Sequence, residues 1–152
     1  MIKNLIKKVG FKKQKIAVRY QSRNNNTKLI AEAMAAALKT DAKPITNKIN
    51  SCDILYLGGG TYYGKPDKKL VSFINKLDKK KIKEVVLFAS SSLNSTGLKK
   101  MGELCQRKGL KVNNEKLLVR MGLKGEALLG LKIGKLSKRQ LNKIANFIKK
   151  IK

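Results

Sequence analysis

Apolar residues fall along this chain in two alternating periods. Ile16 to Tyr20 is a β-branched run that predicts a strand, and Ile54 to Leu57 is continuously apolar, as a strand covered on both faces should be. Val85 to Ala89 and Leu117 to Val119 predict two more strands. Ile45 and its neighbours predict a brief one that Pro44 suits to a sheet edge. Between them lie stripes of helical spacing: Leu29, Ile30, Ala33, Met34, Ala37 and Leu38 in a helix beginning near Thr27, then Leu70, Phe73, Ile74 and Leu77, with Pro66 in the first turn. Leu98, Met101 and Cys105 mark the next. A last helix opens with Ser137 as N-cap and Leu136 and Leu141 as a hydrophobic staple, burying Leu141, Ile144, Ala145, Ile148 and Ile151.

Strands that alternate with amphipathic helices predict a parallel sheet with helices on both sides. With 152 residues, 42% of them apolar, the chain has the material for one domain and one core. That domain is expected over residues 15–152. Residues 1–14 form a basic preface in which Ile2, Leu5, Ile6 and Val9 share one helical face among lysines. The glycines at 122, 125, 130 and 134 predict an irregular loop before the last helix.

Composition narrows the chemistry. Lysine and arginine number 36 against nine acids, a net charge of +27 that attracts anionic partners: nucleic acid, an anionic membrane surface, or an acidic protein. Lysine far outnumbers arginine, and arginine forks and aromatic platforms are what nucleic-acid surfaces favour, so compositional bias is the simpler source of the charge. Histidine is absent, which removes imidazole acid–base chemistry and the Ser-His and Cys-His pairs; any redox or group-transfer chemistry is expected from a cofactor. Cys52 and Cys105 stand far apart with no metal-ligand spacing, which points to the reducing cytoplasm. No apolar run is long enough to span a bilayer, and no cleavable export signal is visible.

Ligands of open α/β sheets bind beyond the carboxyl ends of the strands, which singles out three loops. The first contains Ser22, Arg23, Asn24, Asn25, Asn26 and Thr27, hydroxyls and amides just before a helix N-terminus, a pattern suited to phosphate. The second contains Gly59, Gly60, Thr61, Tyr62, Tyr63 and Gly64, with an aromatic pair between glycines. The third runs from Ser90 to Gly97 and contains Ser91, Ser92, Leu93, Asn94 and Thr96. Together they suit a planar heterocycle carrying a phosphate. Gly59 to Lys65 has Walker A spacing up to its lysine, but Pro66 follows, with neither the hydroxyl that would ligate magnesium nor a backbone N–H. A nicotinamide-type Rossmann site is also excluded, because the first βα turn has no glycine.

In this order, the three loops resemble those of the flavodoxin family. Ser22 and Thr27 match the hydroxyl positions at either end of that family's phosphate loop, and Thr61-Tyr62 resembles its Thr-aromatic pair beside the flavin. Asn25 stands where the family places glycine, and asparagine tolerates left-handed backbone better than most residues. Leu93 is the one apolar candidate on the outer flavin face. The resemblance implies a three-layer α/β sandwich whose five parallel strands run in the order 2-1-3-4-5. It also implies non-covalent FMN, with the phosphate on Ser22, Asn24, Asn26 and Thr27, charge from Arg23 or Lys28, and the ring between Tyr62 or Tyr63 and the Ser90 to Gly97 loop.

An electron carrier in the cytoplasm, free or peripheral to the membrane, is the expected function; with this charge, its redox partner should present an acidic docking face. Two alternatives stand beside it: an FMN-dependent reductase of a quinone or other small molecule, and a flavin-free basic module that grips nucleic acid or an anionic membrane surface.

Overall fold

In the computed structural model, residues 14–62, 64–91, 96–121 and 135–151 are described. The strands are β1 (Ile16–Gln21), β2 (Ala42–Pro44), β3 (Cys52–Tyr62), β4 (Lys65–Pro66), β5 (Ile82–Ser91) and β6 (Val112–Arg120). The helices are α1 (Asn26–Leu38), α2 (Lys68–Asn75), α3 (Thr96–Arg107) and α4 (Lys138–Ile151). The main sheet is parallel in the order β2-β1-β3-β5-β6, the expected five-strand pattern. β4 adds a short antiparallel pairing to the end of β3, Thr61 opposite Pro66 and Tyr62 opposite Lys65.

Side chains that alternate along the central strands divide the core in two. Val18, Ile54, Tyr56, Val86 and Phe88 meet α1 and α4 on one face. Leu55, Leu57, Val85, Leu87 and Ala89 meet α2 and α3 on the other.

Several local expectations are corrected. Pro66 lies in β4 rather than in a helical turn, and the N-cap of α2 is Asp67, whose carboxylate accepts the Lys69 amide at 2.8 Å. Ile45 lies past the end of β2, although its amide still donates to the Tyr20 carbonyl at 2.9 Å. In α1 the buried stripe is Ile30, Ala31, Met34 and Ala35, while Ala37 is exposed; alanine fits either side, so periodicity could not orient it. Ser137 does cap α4, but through a reciprocal pair with Gln140: the Gln140 amide donates to the Ser137 hydroxyl at 3.1 Å and the Ser137 amide to the Gln140 side chain at 2.8 Å. Leu141 is exposed and Phe147 is buried with Ile144 and Ile148. The basic preface through residue 13 and the glycine-bearing loop 122–134 lie outside the described residues.

The connection from β2 to β3 departs most from the usual pattern. A parallel crossover takes a dozen residues or more, most often with a helix. Here it is seven, residues 45–51, with no helix. Arg19 of β1 holds this strap down: Nε donates to the Asn47 carbonyl at 3.2 Å and an Nη to the Lys48 carbonyl at 3.0 Å. Burial pulls the Arg19 pKa below its ordinary value, but the carbonyl oxygens replace water around the cation. One buried guanidinium thus does part of what a crossover helix does elsewhere.

Candidate functional site

Because β1, β3 and β5 are parallel, their following loops leave the sheet at one rim. The register fixes how they meet: Gln21 lies beside Gly59, Gly59 beside Ala89, and Gly60 beside Ser90.

The first loop turns sharply from β1 into α1. Asn25 takes left-handed backbone, φ 68°, and its carbonyl accepts the Leu29 amide at 3.0 Å as the helix begins. This is the conformation that would otherwise call for glycine. Asn24 accepts the Asn26 amide with its side chain at 3.4 Å, a tight local turn. The Asn25 side chain makes no capping bond, and the first turn of α1 carries no acid to occupy the positive end of the helix.

Two buried oxygens on this turn have no hydrogen-bond partner among the described residues: Ser22 Oγ and Gln21 Oε1. Buried polar atoms are nearly always paired, so an orphan hydroxyl just before a helix N-terminus is a group that could receive a ligand oxygen. Thr27, by contrast, already has a partner. Its Oγ1 lies 2.7 Å from Ser90 Oγ, both residues buried, which ties the first turn of α1 to the end of β5. A bond between two hydroxyls uses one of the two protons, which leaves the pair able to donate once more.

Arg23 reaches across to the second loop. Its Nε donates to Asp67 Oδ2 at 2.6 Å, while the other carboxylate oxygen caps α2. Burial acts to raise the Asp67 pKa, but the Lys69 amide and the Arg23 guanidinium outweigh it and hold the carboxyl below its usual range. Lys28, the other expected source of charge, lies 3.9 Å from Glu32 one turn along α1.

The second and third loops touch through Gly97. A Cβ there would stand 2.3 Å from Thr61 Cγ2, so only glycine lets the first turn of α3 approach the end of β3 this closely. Gly64 turns the chain back into β4 at φ 73° and lies against Thr96, whose Cβ would be 3.7 Å from a Cβ on the glycine.

The expected residues Ser22 to Thr27, Gly59 to Thr61, Gly64, Ser90, Thr96 and Gly97 therefore gather at one rim, with Tyr62 and Ser91 placed there by their backbone. Tyr63, Ser92, Leu93 and Asn94 lie outside the described residues. Gln21 and Asp67 were missed. Asp67 had a legible signal, an N-cap residue just before the Leu70 stripe; the Gln21 side chain, at the end of a strand, had none.

Other chemistries find no support among the described residues. No three of His, Cys, Asp and Glu gather as metal ligands. Burial pushes the Cys52 thiol up to about 11 and the Cys105 thiol to about 12, so neither is a thiolate at neutral pH. No helix among the described residues is long and apolar enough to cross a membrane.

A family model described as Flavodoxin domain matches residues 17–151. The chain belongs to the flavodoxin family. Among solved structures, an archaeal flavodoxin matches this family member with a TM-score of 0.70 at 16% identity, over 90% of this chain and 97% of that one. An NADH:FMN oxidoreductase in its apo form, EmoB, matches with a TM-score of 0.59 at 15% identity, over 89% and 88% of the two chains. A flavoprotein in complex with FMN from Lactobacillus acidophilus matches with a TM-score of 0.56 at 15% identity, over 78% of this chain and 97% of that one. At these identities the likeness is one of fold. No curated protein matches the flavodoxin chain in sequence.

Proposed function

We propose that this flavodoxin-family chain binds FMN non-covalently at the carboxyl rim of its sheet and serves as an electron carrier. The observation that carries the reading is the buried Ser22 hydroxyl, without a partner among the described residues, on a left-handed turn at the N-terminus of α1. A phosphate there receives the Ser22 proton, the spare proton of the Thr27–Ser90 pair, and the helix end. Asn24 and Asn26 complete the turn. Arg23, fixed by Asp67, braces the phosphate loop against α2 rather than acting as a lone cation.

Bound FMN would supply reversible one- and two-electron transfer. The chain's own part is to hold and shield it. Thr61, with Tyr62 and Tyr63, would line one side of the ring, and the loop from Ser90 to Gly97 the other. Backbone groups of Gly59, Gly60, Ser91, Ser92 and Asn94 would meet its polar edge.

The charge of +27 favours a redox partner with an acidic docking face, and association should slow as salt is added. The free, buried Cys52 and Cys105 fit a reducing cytoplasm.

The test is the visible spectrum of the purified protein before and after FMN is added, followed by reduction. Stoichiometric flavin absorbance, reversible reduction and slow oxidation of NADH or NADPH support a carrier. Rapid turnover of either nicotinamide with a quinone would instead make it an FMN-dependent reductase; one structural neighbour is named an NADH:FMN oxidoreductase. Protein that takes up no FMN yet binds nucleic acid or anionic vesicles would make it a flavin-free basic module.

A further inference from the structure

The seven-residue crossover leaves a mark away from the rim. No helix lies between β2 and β3, and a groove of about 590 Å³ is lined by the strap on one side and α2 on the other. Its floor is apolar, formed by Ile45 and Ile49 of the strap with Phe73 and Leu77 on the other side. Ile45, Ile49 and Phe73 are only partly buried. Exposed Lys48, Lys69, Lys76 and Lys81 edge it. Its one acid, Asp78, already accepts the Lys80 amide at 2.9 Å.

The groove has the length of a helix. Its upper end is at Ile45, bonded to Tyr20, which pairs with Gly58; its lower end is at Ile82, which pairs with Cys52. Those six steps of β3 span about 20 Å, the length of a helix of roughly 13 residues.

We propose that this groove is a docking site for an amphipathic helix of a partner protein whose polar face is acidic. Apolar side chains at helical spacing would fill the floor, and the four lysines would face the carboxylates. Charge decides among the occupants. Residues 1–14 of this chain carry Lys3, Lys7, Lys8, Lys12 and Lys13 and no acid, and a second copy brings another +27, so both are repelled by the lysine edge. A flat membrane surface does not reach a recessed floor. The docked helix would end beside the flavin rim, since Lys69 edges the groove while its amide bonds Asp67, the partner of Arg23.

The test uses the full chain and a fluorescent synthetic peptide of about 14 residues, leucine at helical spacing and glutamate elsewhere, read by anisotropy. A scrambled isomer keeps the charge and loses the stripe. A lysine-faced peptide keeps the stripe and inverts the charge. The proposal expects saturable binding of the acidic peptide, at least about tenfold weaker for the scrambled isomer, for Ile49→Asp and for the exposed double change Lys48→Glu/Lys76→Glu. Circular dichroism checks that each variant is folded; the lysine pair, on the surface, keeps the test decisive if Ile49→Asp is not.

Equal binding of the scrambled isomer, or binding unchanged in the lysine variant, overturns the proposal, since charge anywhere on the surface would then suffice. So does preference for the lysine-faced peptide. A tenfold gain in acidic-peptide affinity on deleting residues 1–13 overturns it too, because the chain's own terminus would be the occupant.

Discussion

Replacing Ser22 by alanine should move stability and cofactor affinity in opposite directions. The Ser22 hydroxyl is buried without a partner among the described residues, and an unpaired buried hydroxyl costs about 1–3 kcal/mol in flavin-free protein. Removing it relieves that cost and leaves a small methyl group in its place, so flavin-free Ser22→Ala should be as stable as the parent or up to about 1 kcal/mol more so. With FMN bound, the same hydroxyl donates to a charged phosphate, and a hydrogen bond of that kind contributes about 1.5–3 kcal/mol. Its loss should weaken FMN binding by roughly 10- to 150-fold. Urea unfolding of flavin-free protein gives the first quantity, and titration of flavin fluorescence the second. A hydroxyl that serves the fold would show the reverse, so an alanine variant destabilised by more than about 1 kcal/mol with unchanged FMN affinity would refute the reasoning.

Three further outcomes follow from the same rim. Thr27→Val strands the buried Ser90 hydroxyl and should cost about 1–3 kcal/mol, while adding Ser90→Ala should recover much of it; additive losses in the double variant would show that the 2.7 Å contact does not couple them. Asn25→Ala forces alanine into φ 68° and should cost about 1–2 kcal/mol, whereas Asn25→Gly should be close to neutral; equal effects on thermal unfolding would deny the left-handed turn. Asp67 is held below its ordinary pKa, so its ionised form stabilises the fold at neutral pH, and that contribution disappears as the pH falls through its lowered value. Asp67→Asn keeps an N-cap but loses the charge, and because Arg23 is half exposed the cost should be only about 1 kcal/mol at pH 7, shrinking below about pH 4; a cost independent of pH would contradict the pairing.

What could be read beforehand depended on how much of an element's character is carried by its own residues. Strands β3 and β5 are buried on both faces, and their unbroken apolar runs name them. At the edges the signal fails. Among the described residues β6 pairs on one side only, so Asn113, Glu115 and Lys116 sit in a strand whose only apolar run is Leu117 to Val119. Proline suits a first helical turn, which places Pro66 in the helix, yet Asp67 is the stronger start signal and the helix opens after it, at Lys68. At the site, residue types and loop order were enough to gather Ser22 to Thr27, Thr61, Ser90 and Gly97. Which hydroxyl has a protein partner was not legible, because Ser22 and Thr27 look alike in sequence and only the three-dimensional neighbour, Ser90, distinguishes them. Arg19 could be seen as a charge inside an apolar run, but its role depends on two carbonyls nearly thirty residues away.

The central claim is that the turn from Gln21 to Thr27 holds a phosphate. Its most direct test compares FMN with riboflavin, which differ by that phosphate alone, in calorimetric titrations of the flavin-free protein. Several charge-assisted bonds of about 1.5–3 kcal/mol each make FMN at least ~100-fold tighter if the account holds. Equal affinities for the two flavins would contradict it.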